Sequence, residues 1–454
     1  MAKYQQYEEY KDSGVEWLDV IPNHWNTVSL KMLIDVRDGT HETPSYVEKS
    51  DNSYPLVTSK DVTSGQIDLT DCKYISQQDY ESIIKRSAVS KGDILMPMIG
   101  TVGSPVLVEE KLEIAIKNLA LFRTSESSEK ITVKFLHYFL NSKECSMQFS
   151  LEGRGGVQNF VSLGTLRNLA LPLITLNEQT QIANFLDHET AQIDTLIEKQ
   201  QTLIQLLKEK RQAVISHAVT KGLNPDAPMK ESGVEWLGEV PEHWDLAPLK
   251  YLCNFSGGGT PTKDNLSYWT GGTIPWVSPK DMKSFWIDKT QDYITENAVK
   301  ESSTKLIKAG SLLMVVRSGI LQRTIPIAIN TVDVTMNQDM RALQFNERMT
   351  SEYAANYIVG NVDKLLCAWS KEGATVESIE QEYLSNSLFP VPPVAEQQRI
   401  VDKINEQMKT FDSLVSKAQK AIQLMQERRT ALISATVTGK IDVRGWVASD
   451  NKAS

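Results

Sequence analysis

KDSGVEWLDVIPNHWNTVSLKML, from Lys11 to Leu33, returns as KESGVEWLGEVPEHWDLAPLKYL from Lys230 to Leu252, with 13 identities in 23 positions at an offset of 219. A second pair lies further on. LPLITLNEQTQIANFLDHETAQIDTLIEKQQTLIQLLKEKRQAVISHAVTKG from Leu171 matches FPVPPVAEQQRIVDKINEQMKTFDSLVSKAQKAIQLMQERRTALISATVTGK from Phe389, without a gap, at an offset of 218. Chance does not produce such agreement, and self-similarity at a fixed period decides architecture before any local reading does. The chain is a tandem duplication.

Seven divisions follow: a frame segment 1–25, a first block 26–170, a first helix 171–222, a frame linker 223–244, a second block 245–388, a second helix 389–440 and a tail 441–454. In the first helix Leu186, Ile193, Ile197, Ile204, Leu207, Val214 and Ala218 follow spacings of 7, 4, 7, 3, 7 and 4, a heptad seam. Ile404, Phe411, Val415, Ile422, Met425, Leu432 and Thr436 repeat it. Thr175 with Glu178 reads as a capping box, Pro392 and Pro393 precede the second helix, and Gly222 and Gly439 mark the ends. A helix over 178–220 is on the order of 60 Å long. Two rods, each with one apolar seam, are expected to pair antiparallel within the chain.

The blocks read as mixed α and β. Tyr54–Thr58, Asp93–Ile99, Ile274–Ser278 and Ser311–Val316 are strands by length and by their flanking turn residues, and Thr132–Asn141 and Ser351–Asn361 are helical. YPLVTSKDV matches IPWVSPKDM, KGDILMPMIG matches AGSLLMVVRSG, and Gly155 corresponds to Gly373. One fold with divergent surfaces is what two readers of different targets require. The expected class is α+β: two mixed domains separated by two long antiparallel helices, related by a pseudo-twofold axis from the repeat.

Composition and absent motifs narrow the function. The 454 residues are 41% hydrophobic and 23% charged, ordinary globular values. No run reaches the roughly 18 apolar residues of a membrane helix, and the start lacks a signal peptide's apolar core, so a cytoplasmic location is expected. The net charge of -9, from 48 basic and 57 acidic residues, disfavours a nonspecific coat of nucleic acid. Cys72, Cys145, Cys253 and Cys367 form no CxxC and are expected as small buried hydrophobes. No Asn/Asp-Pro-Pro-aromatic motif for amino-group methylation and no GxxxxGK[ST] loop occur. The six histidines have no metal-ligand spacing, and His24 and His243 sit in PxHW segments where packing of Trp25 and Trp244 is the expected role. The sequence reads as non-catalytic and without a metal site.

These residues lead to a family. Two copies of a helix opening on a Glu-Gln pair (NEQTQI at Asn177, AEQQRI at Ala395), two copies of SGVEWLxxxPxHW, and GGGTPTKDNLSYWTGGTIPWVSPKDM from Gly257 are its features. The chain resembles the specificity subunit of type I restriction-modification systems over nearly its full length. The first block departs at its start: RDGTHETPSYVEKSDNSYPLVTSKDV, from Arg37, keeps the Gly-Thr and the Lys-Asp but not the Tyr-Trp element. The resemblance implies a reader of double-stranded DNA with two target-recognition domains, each reading half of a split, asymmetric site. It also implies two methyltransferase subunits bound through the helices, with S-adenosylmethionine in those partners, and two restriction subunits that bring ATP and Mg. No cofactor is expected in this chain.

Base-edge readout needs Arg, Lys, Asn and Gln on loops or strands that enter a groove. Lys60 and Lys280, in SKD and PKD, are candidates for phosphate contact or for a structural Lys-Asp turn. Arg154, Gln158 and Asn159 lie in the loop GRGGVQNF, where Gly155 and Gly156 would admit a sugar-phosphate chain. Arg317 and Arg323 flank SGILQ after a strand end. The rival reading is a coiled-coil scaffold with two protein-binding blocks and no DNA recognition.

Overall fold

The computed structural model describes residues 4–63, 65–100, 102–124, 130–152, 160–370 and 377–448. Two compact units emerge: Met1–Gln200 with Lys420–Ser454, and Gln201–Gln419. Each holds one variable block, one copy of the frame motif, and a piece of each long helix. Those helices run Leu176–Lys221 and Val394–Val437.

Two of the expected strands, Ile94–Pro97 and Leu312–Val315, are continuous apolar runs because their sheets are covered on both faces. In the first unit Ile94–Pro97 and Leu119–Phe122 are buried at every residue. Ile94, Met96, Ala120 and Phe122 point into the core that contains helix Val133–Leu140 and both long-helix ends, while Leu95, Leu119 and Leu121 point into a second core beneath. The period-2 alternation thus separates two cores rather than core from water. The sheet order is Val106–Leu107, Ile94–Pro97, Leu119–Phe122, Val36–Asp38, all antiparallel. A second sheet carries Ala115–Ile116 parallel to Ser53–Val57, followed by antiparallel Lys73–Ser76 and Tyr46–Val47.

The second unit repeats this plan with local changes. Cys253–Gly257, Met340–Phe345, Leu312–Val315 and Ile327–Asn330 follow the same antiparallel order, and Trp286–Ile287 adds a fifth, parallel strand. Ile274–Val277 lies between Asp292–Ile294 and the parallel strand Thr335–Met336. Helix Ser351–Gly360 fills the place expected for Ser351–Asn361, with Thr350 as its cap. Each block closes on itself, because its first and last strands pair: Asn26–Ser29 with Ala170–Leu173, and Asp245–Pro248 with Leu388–Val391.

The frame motif and the Glu-Gln pair explain each other. In the first unit the indole Nε1 of fully buried Trp25 donates to Glu178 Oε1 at 3.1 Å, the Tyr7 hydroxyl donates to the same oxygen at 2.7 Å, and His24 Nε2 lies 3.1 Å from Oε2. The neighbouring Gln179 accepts the Thr132 amide at 2.7 Å and donates to the Lys130 and Ile174 carbonyls. The second unit reproduces the arrangement: Trp244 Nε1 donates to Glu396 at 3.2 Å, His243 Nε2 lies 2.8 Å from it, and Gln397 accepts the Thr350 amide at 2.9 Å. The expected capping box is therefore only half formed. Thr175 Oγ1 accepts the Glu178 amide at 3.3 Å, but the Glu178 carboxylate is engaged by the frame instead of returning to the cap.

Gly222 and Gly439 end the helices in the left-handed region, at φ 78° and 76°. A Cβ on Gly439 would stand 2.4 Å from Pro22 Cδ, and one on Gly222 would stand 3.2 Å from Trp244 Cζ2, so each helix end is seated on a Pro-x-His-Trp segment.

Within each unit the helix pieces run antiparallel. Arg429 forms a two-pronged pair with Asp194 (2.9 and 3.2 Å) in the first unit, and Arg211 pairs with Asp412 (2.7 Å) in the second. Both pairs satisfy one index sum, 429 + 194 = 623 and 211 + 412 = 623, and they are repeat counterparts at the offset of 218. Along the seam Leu186, Ile193, Ile404, Phe411 and Leu432 are buried, whereas Ile197, Ile204, Leu207, Val214, Val415, Ile422 and Met425 are half-buried. Of the cysteines, Cys72, Cys145 and Cys253 are buried as expected. Cys367 is exposed, because its helix Val362–Trp369 turns only one face, Leu365 and Trp369, into the core.

Candidate nucleic-acid interface

In each block the loop after strand Val36–Asp38 or its counterpart Cys253–Gly257 and the Lys-Asp turn meet at one end of the sheets. In the first unit the chain leaves Val36–Asp38 at Gly39, whose amide donates to Leu119 O at 2.9 Å, and the next amide, of Thr40, donates to Ile116 O at 3.0 Å. A Cβ on Gly39 would fall 2.2 Å from Ile116 O, so only glycine permits this approach. In the second unit Gly258 N reaches Met340 O and Gly259 N reaches Met336 O at 2.8 Å, and a Cβ on Gly258 would lie 1.8 Å from Asn337 O. Gly39 therefore corresponds to Gly258 and Thr40 to Gly259. The Gly-Thr pairs that look alike in sequence are displaced by one residue in space.

The same end receives the Lys-Asp turns. Asp61 Oδ2 accepts the Thr58 amide and hydroxyl, both at 2.7 Å, and Asp281 Oδ2 accepts those of Ser278 at 2.9 and 2.8 Å. The aspartates build the turns. Lys60 and Lys280 stand exposed on them, with no ion pair among the described residues.

Residues unremarked in the sequence complete each end. In the first unit His41 bridges Asp38 (2.9 Å) and Asn118 (3.0 Å), Arg86 pairs with Asp38, and Lys117 donates to Thr43. The hydrogen bond that His41 donates to Asp38, with the one to Asn118 next, raises the His41 pKa above its ordinary value. In the second unit Thr260 donates to Gln338, and Trp276 Nε1 ties down Gly259 O at 3.0 Å. The missing Tyr-Trp element is also accounted for. Second-unit Tyr268 accepts the Thr295 amide through a 3-10 turn, Leu266–Tyr268, whereas the first unit lays strand Tyr46–Val47 along Lys73–Ser76. Different local structures cover one equivalent edge.

Arg317, exposed, follows strand Leu312–Val315, and its amide donates to Asp339 O at this end. Arg323, also exposed, caps the 3-10 turn Gly319–Gln322. Arg154, Gln158 and Asn159, with Gly155, Gly156 and Gly373, lie outside the described residues. The residue after the first loop, Phe160, bridges Ile99, and Ser378 bridges Arg317 in the second unit. Loop positions are poorly marked in sequence because neither block carries a periodic signal there.

Two repeats of one α/β unit, each with loops and basic or amide side chains convergent at one strand end, define a tandem recognition protein. The model of the type I restriction modification DNA specificity domain matches residues 22–206 and 241–424, and the chain belongs to that family of DNA-sequence-recognising specificity subunits. The chain is 32% identical over 312 residues to the EcoR124I/EcoR124II specificity subunit of Escherichia coli, covering 67% of this chain and 70% of that one. It is 21% identical over 436 residues to the MjaVIII specificity subunit of Methanocaldococcus jannaschii, covering 93% and 94%. Among solved structures, a chain from work on assembly and conformational transition of the type I R-M system is similar in fold, with a TM-score of 0.67 at 15% identity over 92% of this chain and 98% of that one. Among the described residues no helix is long and apolar enough to cross a membrane.

Proposed function

We propose that this chain is the non-catalytic reading subunit of a type I restriction-modification complex in the cytoplasm, and that each unit reads one half of a bipartite, asymmetric DNA site. The observation that carries this is the paired strand-end mouth: equivalent backbone in both units, with Gly39 and Gly258 in one role, presenting unlike side chains. Equivalent scaffolds with unlike side chains suit unlike half-sites. Lys60 and Lys280, at equivalent turns, hold phosphates, which set register without carrying sequence information. Arg154, Gln158, Asn159, Arg317 and Arg323 are base or phosphate contacts in this reading.

Methyl transfer, ATP and Mg chemistry belong to the partners in this proposal. Two methyltransferase subunits, which would hold S-adenosylmethionine, dock on the repeated helices, and two restriction subunits join them. Exposed leucines recur at the repeat offset, Leu196 with Leu414 and Leu206 with Leu424, between 42% and 55% exposed, and support two like docking faces.

The test is coexpression with the methyltransferase subunit followed by duplex binding across a salt series. The complex is expected to bind with steep salt dependence. Lys60→Ala and Lys280→Ala together should weaken binding to all sequences alike and flatten the salt slope by about 2, with the methylated motif unchanged. Failure of the intact complex to shift any duplex would favour the protein-binding scaffold.

A further inference from the structure

We propose that Arg341 reads a guanine in the half-site recognised by the second unit. This rests on the reading of the strand-end mouth as the DNA face. Arg341 lies on strand Met340–Phe345, between Gly257 of the strand on one side and Met314 of the strand on the other. It is half-buried, its Nε is buried with no acceptor, and no carboxylate among the described residues pairs with its guanidinium. The guanidinium lies over Gly257, where a Cβ would stand 2.8 Å from Nη1. A buried N–H donor without an acceptor opposes folding unless something outside the chain supplies one. The loop glycine Gly258 follows directly, and Arg317 leaves the adjacent strand at the same end.

The equivalent place in the first unit shows what kind of acceptor fits. There the three neighbours are Asp38, Ala120 and Met96. Ala120 stands where Arg341 stands, and Asp38, where Gly257 stands, is occupied by Arg86 and His41. One unit thus presents a half-buried guanidinium over a glycine, with no carboxylate partner among the described residues, and the other a methyl beside an engaged acid. Contacts common to both units, such as Lys60 and Lys280, cannot distinguish two half-sites. A contact made by one unit alone can, and phosphates are common to every sequence while base edges are not. Arginine's planar fork matches the O6 and N7 acceptors of guanine in the major groove. A position on a central strand holds that fork with little freedom left to lose on binding.

The experiment uses the full chain with its methyltransferase partner. The methylated motif is read by methylome sequencing, and affinities are read by competition between duplexes. R341M is expected to make one G·C pair in one half-site degenerate, reducing discrimination there by roughly 5- to 150-fold, with the other half-site and the spacer unchanged. The unchanged half-site reports that the complex is folded. R341K keeps the charge without the fork and should loosen the same pair, and it serves if R341M does not accumulate. An unchanged motif, with or without uniform weakening, overturns the proposal, and uniform weakening would mark a phosphate contact. A wild-type complex that binds no duplex sinks the mouth reading and this assignment with it, which a variant-specific failure does not.

Discussion

At the scale of single residues, Glu178 ties the frame motif to the first long helix. Its carboxylate is the acceptor for Trp25, Tyr7 and His24, and it is 5% exposed, so water cannot replace it. Removing one partner of a buried hydrogen bond leaves the other unsatisfied at about 1–3 kcal/mol per group. Glu178→Ala is therefore expected to destabilise the first unit by about 2–5 kcal/mol, and Glu178→Gln, which keeps one acceptor, by less. Denaturant unfolding followed by tryptophan fluorescence measures both, and equal stability of the alanine variant would refute the role. The Glu-Gln pair was visible in the sequence as a repeated motif, and so was PxHW. That the two meet was not visible, since 153 residues separate Trp25 from Glu178.

At the scale of elements, the seam and its burial come apart. Heptad spacing places Leu186 and Ile204 in one stripe, and the structure puts Leu186 in the first core but leaves Ile204 half-buried. Periodicity reports which face is apolar, whereas burial depends on what lies opposite, and only the helix ends have a block packed on them. Leu186→Ala is expected to lower stability by about 2–5 kcal/mol and Ile204→Ala by about 1 kcal/mol. Denaturant midpoints compare them directly, and equal losses would mean one uniform core along the whole seam. Strands were legible for a related reason. Ile94–Pro97 and Leu312–Val315 are short continuous apolar runs, which is how a strand covered on both faces reads. The short edge pieces Tyr46–Val47 and Trp286–Ile287 carry no such run, and sequence inspection passes over them.

At the scale of the whole molecule, the proposed reading of a bipartite site makes helix length the expected gauge of half-site separation. One added turn of about four residues lengthens a helix by roughly 6 Å, one or two base-pair steps at about 3.4 Å each. An insertion of four residues near Leu206, matched by four at the facing position near Lys417 (206 + 417 = 623) so that both ion pairs keep one common register, should lengthen the unspecified spacer and leave both half-sites intact. Methylome sequencing reads the spacer, and an unchanged spacer would remove the gauge. The units are separable in principle because each block begins and ends on one paired ribbon, so its ends are already neighbours at the helix base.

Duplication, the two long helices, the α/β character of the blocks and the family were all decided by local sequence, because repeats, heptads and apolar runs are properties of neighbouring residues. The partner of Glu178, the one-residue displacement of Gly-Thr between units and the buried Arg341 Nε without an acceptor among the described residues were decided only by tertiary structure. Each depends on groups that are distant along the chain, and a linear pattern carries no record of which distant group will stand within 3 Å of another.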